Sequence, residues 1–224
     1  MKTTTMKLSF LLAIGSVAFG AAQAGDLEPP GPPAPTMVTL QQISDKLDGM
    51  GASVASVQKT GQTQCWDTSG ILIGCAGTGQ DGEYQAGISV DPRFTYNGDG
   101  TVTDNLTKLI WLQDANCFGA QQWQPALDAA NTLADGSCGL SDSSVAGDWR
   151  LPNLRELHSL IDYGQSLPAL PPVHPFSGVQ SARYWSSTSS GNPLNAWHVT
   201  LTAGGITFVL KTTSIWVWPV RTGP

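Results

Sequence analysis

Asp148-Trp149-Arg150-Leu151-Pro152-Asn153-Leu154-Arg155-Glu156-Leu157-His158-Ser159-Leu160-Ile161 is the stretch on which the fold turns. Pro152 holds the chain extended before the helix, and Asn153 can accept hydrogen bonds from the first-turn amides while Glu156, three residues on, reaches back as a capping box. Leu154, Leu157, Leu160 and Ile161 then share one helical face. Downstream the periodicity changes. Tyr184–Ser186, Ala196–Leu201, Ile206–Leu210 and Ile215–Val220 read as strands, and in the last of these Trp216 and Trp218 alternate with Val217 and Pro219, so both rings face one side.

Upstream, Trp123, Leu127, Ala130 and Ala134 line one face of a helix that tolerates Pro125 in its first turn. Before it, Arg93–Thr95 and Thr101–Thr103 flank an Asn97-Gly98-Asp99-Gly100 turn, and Leu109–Leu112 is a further strand. Two helices followed by a run of strands predict an α+β domain over residues 91–224, with a twisted antiparallel sheet and not a doubly wound one.

Residues 60–90 form a smaller unit. Gln64-Cys65-Trp66 and Ile71-Leu72-Ile73 enclose a turn-rich Asp67-Thr68-Ser69-Gly70, predicting a small β hairpin followed by a glycine-marked loop. Residues 37–59 carry Leu40, Ile43, Leu47, Met50, Val54 and Val57 at alternating spacings of three and four, the seam of a short coiled-coil neck. So short a helix, weakened by Gly49 and Gly51, needs a partner. Two partners suit it: further copies of the chain, most simply as a homotrimer, or the globular domain that follows. Residues 25–36 are a proline-rich linker with a single Gly-Pro-Pro triplet, hence a stiff spacer and not a collagen stalk.

Residues 1–24 have the layout of a cleaved signal peptide. Lys2 and Lys7 precede an apolar run, Leu8–Phe19, and Ala22-Gln23-Ala24 supplies the small-residue cleavage pattern. That run is too short to span a bilayer, so no membrane span is expected and the product is extracellular, at the cell surface or periplasmic. Four cysteines in an exported chain read as two disulfides; of three possible pairings the sequential one, Cys65–Cys75 and Cys117–Cys138, is favoured. A net charge of −6, with basic residues scattered, excludes a nucleic-acid stripe.

The strand set Asn97–Asn105 with Leu109-Ile110-Trp111, then Asp148–Pro152, Glu156–Asp162, Tyr184–Ser187, Ala196-Trp197 and Val220-Arg221, in that order, resembles the Lcl C-terminal domain family, the cap domain of bacterial collagen-like surface proteins. The likeness covers roughly Asp91 to Arg221. It implies a C-type-lectin-like domain, trimers, and adhesion to polysaccharide. The named member adheres through a basic surface and carries a long collagen stalk; this chain is acidic and lacks the stalk.

The residues offer several candidate sites. Trp149 can act as a stacking platform with Arg150 as a donor fork, or Trp149 and Leu151 can fill the core while Arg150 pairs with Glu156 or Asp148. Trp185, Trp197, Trp216 and Trp218 are the other candidate sugar-binding rings, although most tryptophans in a domain are core. Asn97, Asp99, Thr101 and Asp104 place oxygens at near-alternate positions, as calcium loops do, but position twelve of an EF-hand counted from Asn97 is Lys108, so no cofactor is expected. His158, His174 and His198 sit in no catalytic motif, and the chain is not expected to be an enzyme. The functional expectation is an adhesion or carbohydrate-recognition module binding polysaccharide or a surface protein. A structural subunit of a surface or matrix assembly and, third, a hydrolase using a carboxylate pair are the other readings.

Overall fold

The structure, a computed structural model, describes residues 57–223. The expected signal peptide, linker and neck positions Leu40 to Val54 lie outside the described residues; Val57, the last of the expected seam, is exposed.

Eleven strands and three helices are described: β1 Cys65–Trp66, β2 Leu72–Ile73, α1 Asp81–Tyr84, β3 Phe94–Tyr96, β4 Thr101–Asp104, β5 Leu109–Leu112, β6 Ala120–Gln121, α2 Trp123–Thr132, α3 Leu154–His158, β7 Arg183–Ser189, β8 Asn195–Thr200, β9 Gly205–Leu210, β10 Ile215–Trp216 and β11 Val220–Thr222. The class is α+β. The β1–β2 hairpin is antiparallel with Trp66 opposite Leu72, and the Cys65–Cys75 disulfide staples it. Cys117–Cys138 is the second bond. Both follow the sequential pairing.

In place of one antiparallel sheet there are two larger ones, of orders β6-β10-β7-β8-β9 and β11-β5-β4-β3. The stretch Ile215–Val220 is two strands, not one. β10 lies in the five-stranded sheet, parallel to β7 and antiparallel to β6, and after Pro219 the chain enters the other sheet as β11 beside β5. Pro219 has no amide hydrogen for a ladder, which suits the changeover.

That crossing organises the core. Ile215 and Val217 pack into a cluster with Ala126 and Ala130 of α2, Leu151, Trp185 and Ala196. Trp216 and Trp218 face the other way, onto a larger cluster containing Leu157, Leu160, Tyr184, Val199, Trp111 and Trp149. The alternation read from the sequence therefore holds, and each face of the segment serves one core. Trp111, Trp149, Trp185 and Trp218 are fully buried. Each removes on the order of 200 Å² from water, an upper estimate of about 5 kcal/mol per ring before conformational entropy is set against it.

Helix α2 stops at Thr132, two residues short of the sequence reading, because Leu133 turns extended and is buried. Helix α3 begins where the capping box places it: the Asn153 side chain accepts from Arg155 N and Glu156 N, and Glu156 returns to Asn153 N. The third helix, α1, lies in what the sequence suggested was loop. Glu83 holds it by accepting from Gly77 N and Gly79 N.

Candidate functional site

Most of the rings singled out in the sequence are structural. Trp149 is sealed in the larger cluster. Its Nε1 donates to Ser144 Oγ at 3.0 Å, Ser144 Oγ donates to Asp142 Oδ1 at 2.7 Å, and Asp142 Oδ2 lies 3.2 Å from Arg221 Nη2, whose guanidinium sits over the Trp149 ring. The loop thus closes on itself. Trp185 Nε1 donates to Gln121 O and Trp218 Nε1 to Leu112 O, tying both rings into the interior. Trp218 is wedged among Trp111, Phe176 and Tyr184 at centroid distances of 4.8–5.5 Å. None of these three offers a face to a ligand: their N–H groups found backbone or hydroxyl partners inside the protein, which removes the cost of burying them.

Arg150 makes a two-pronged ion pair, Nη1 to Glu156 Oε2 at 2.7 Å and Nη2 to Glu156 Oε1 at 2.8 Å. Burial opposes ionisation of Glu156, but Arg150 and the Asn153 amide outweigh it and hold the carboxyl below its ordinary range. Arg150 and Val220 also exchange backbone hydrogen bonds, at 3.0 and 2.9 Å. The Asp148–Pro152 segment is a joint that fixes the entry of α3 to the strand crossing.

The Asn97 loop satisfies itself. Asn97 Nδ2 donates to Thr101 Oγ1 and Thr103 Oγ1, and Asp99 Oδ1 accepts from the amide and hydroxyl of Thr101. Asp104 is fully buried and takes Arg93 Nε on Oδ1 and Arg93 Nη2 on Oδ2, with Leu106 N and Thr107 Oγ1 completing its shell. Burial raises its pKa, yet those bonds and the Arg93 charge lower it further, so it stays ionised. Its lone pairs are spent on the protein, so Asp104 is corrected from calcium ligand to ion-pair partner. Among the described residues no three His, Cys, Asp or Glu side chains gather into a metal cluster.

The three histidines sit on α3, in the loop before β7 and on β8. Burial lowers the pKa of each; His198, 1% exposed, falls to about 4, with Arg183 adding to the effect. The disulfides leave no free thiol.

What remains open is the β9 edge. In the register of β8 and β9, Trp197 lies opposite Phe208, Val199 opposite Ile206 and Asn195 opposite Leu210. Side chains alternate across a strand, so all six share one sheet face, the face on which Val199 joins the core beneath α3. α3 is only five residues long. Beyond its cover, Ile206, Phe208 and Leu210 are 41–52% exposed, beside a half-buried Trp197. The rings of Trp197 and Phe208 meet edge to face at 5.2 Å. The result is an apolar strip with a rigid aromatic pair at its centre and Asn195 at its end. Ile206, Phe208 and Leu210 were not singled out from the sequence. Their alternation is that of any half-buried strand, and nothing in it tells an exposed face from a covered one.

These features fall within the reach of a known family model. The model of the Lcl C-terminal domain matches residues 100–221, more than half of the chain. The chain belongs to the Lcl C-terminal domain family. A comparison with curated proteins gives no match. Within the family region lie the joint, the strand crossing and the β9 strip; the β1–β2 hairpin and α1 precede it.

Proposed function

We propose that this Lcl C-terminal domain protein is a non-catalytic, exported recognition module of C-type-lectin-like architecture that binds polysaccharide, presented as a trimer by residues 37–59. The observation that carries the reading is the Trp197–Phe208 pair on the β9 strip. A sugar ring docks its C–H face on an exposed aromatic, and Asn195 stands within the same strip for its hydroxyls. The contact is small, so a single site is weak, and three tethered copies raise the avidity without any new contact.

The test is a glycan array probed with the oxidised protein, with calcium and with chelator, beside Trp197→Ala. Selective binding that Trp197→Ala abolishes supports the proposal. An array that stays silent at multivalent density overturns it. Light scattering gives the mass of the same sample, and a monomer defeats the neck.

One observation favours a second reading. Among the described residues β9 pairs only with β8, which leaves its outer backbone edge beside the apolar strip as a template for another strand. A structural subunit joined through that edge is expected to form open-ended polymers instead of a discrete trimer.

A further inference from the structure

The segment just before the β1–β2 hairpin is strapped onto the domain. Lys59 N donates to Ile88 O and Ile88 N to Val57 O, a parallel bridge at residues 58 and 88. Tyr163 N donates to Thr60 O at 2.7 Å, and the Thr60 hydroxyl bonds to Asp81. The crossing needs Gly61, whose φ is +87°, and whose Cβ, if it had one, would overlap the Asp162 carboxylate. Between strap and domain a cavity of about 260 Å³ is left.

We propose that this cavity is a second ligand site, for one monosaccharide-sized polyol. Its walls divide by chemistry. Gln58, Gln62 and Gln85 bring amides, each both donor and acceptor, as a hydroxyl also is. Asp162 accepts from Gly164 N on Oδ1 and has an oxygen left over, Oδ2, to which no described group donates. Ile88, Leu106 and Ile161 supply an apolar wall for the C–H face of a sugar ring. Arg93 also borders the cavity, but Asp104 and Ser159 O occupy its Nε and Nη2, so its charge is already neutralised. That leaves Lys59 against Asp162, a balance that selects a neutral ligand over an anion. The volume sits just below the roughly 300–1,000 Å³ of sites for drug-sized molecules, which fits a single ring.

The site is independent of the β9 strip. Its strap and its Gln85–Val90 wall precede residue 100, where the family match begins, and the family region completes it with Leu106, Ile161 and Asp162.

The experiment is saturation-transfer NMR on the full oxidised protein with free glucose, galactose, mannose and N-acetylglucosamine, and with glycine, glutamate and inorganic phosphate alongside. At least one sugar is expected to bind. Asp162→Asn, which keeps the oxygen that caps Gly164, and Gln62→Ala should each weaken it by about tenfold or more, since a hydroxyl–carboxylate bond is charge-assisted. Trp197→Ala should leave it unchanged, which separates this site from the proposed polysaccharide surface. Amide shifts at Gly61 and Ile88 on titration, with unchanged melting of the variants, tie the effect to the cavity. Absence of any sugar signal, binding of only the amino acids or phosphate, insensitivity to both cavity variants, or loss in Trp197→Ala overturns the proposal.

Discussion

His198 sits in the interior of the five-stranded sheet, 1% exposed and 6.3 Å from the Trp185 ring, with no hydrogen-bond partner for its Nδ1. Burial, with Arg183 nearby, lowers its pKa from 6.5 to about 4. An unfolded histidine takes its proton near pH 6.5, whereas the folded one refuses it until about pH 4. The neutral ring's contribution is therefore present above pH 6.5 and lost as the pH falls toward 4. Between those values the unfolded state gains a proton that the folded state does not, and stability falls by about 1.4 kcal/mol per pH unit, roughly 3 kcal/mol in all. His158 and His174 are lowered by burial too and steepen the wild-type curve, so the diagnostic is a difference. In His198→Leu the titrating group is gone and the others remain. Urea unfolding of the oxidised protein at about pH 7.5, 6.5, 5.5 and 4.5 gives the two curves. Whatever the offset at neutral pH, the variant should lose stability less steeply, and the difference between the curves should shift by about 2.5 kcal/mol in its favour over that range. Parallel curves would mean that His198 is protonated in the folded protein or reached by water, and the argument from burial would fall.

The other predictions rest on single contacts. Asp104→Asn leaves the Arg93 guanidinium largely buried without its counter-charge and should cost about 3–5 kcal/mol in denaturant unfolding, while the apolar double replacement Arg93→Met with Asp104→Leu should cost less. Gly98 and Gly100 have φ of +85° and +84°, yet a Cβ on Gly98 meets nothing, while on Gly100 it would overlap the Gly139 carbonyl. Gly98→Ala should thus cost about 1 kcal/mol and Gly100→Ala distinctly more, read as the difference in urea midpoint. Trp149→Phe keeps an aromatic but removes the indole donor to Ser144 Oγ and leaves a cavity in the larger cluster, so it should lose about 2–3 kcal/mol and leave polysaccharide binding unchanged.

The elements that could be read from the sequence are those specified locally. The start of α3 is a case: Asn153 and Glu156 form its capping box whatever surrounds them, and the structure places both bonds there. The β3–β4 and β1–β2 hairpins likewise follow from turns and alternation in single stretches. Ile215–Val220 reads as one strand because its apolar alternation is unbroken, and nothing within it says that two sheets meet there. The partners that divide it, Tyr184 for β10 and Trp111 for β11, are distant in sequence. α1 was invisible for a similar reason. Asp81-Gly82-Glu83-Tyr84 has poor helix propensity, and its bonds from Gly77 and Gly79 to Glu83 depend on a loop path.

The site was harder to read than the fold because burial, not identity, decides what a tryptophan does. Trp149, Trp185, Trp197 and Trp218 all lie in segments that alternate or cap, and each could stack on a sugar. Three found interior partners for their indole N–H: Ser144, Gln121 and Leu112. Trp197 has no such partner, and its ring rests against Phe208 on the edge strand of the five-stranded sheet. After His158, the Ser159, Leu160 and Ile161 amides bond to Arg155 O, Leu157 O and His158 O, and the chain tightens toward Asp162 and the strap. The turn that ends the helix thereby presents Asp162 to the cavity.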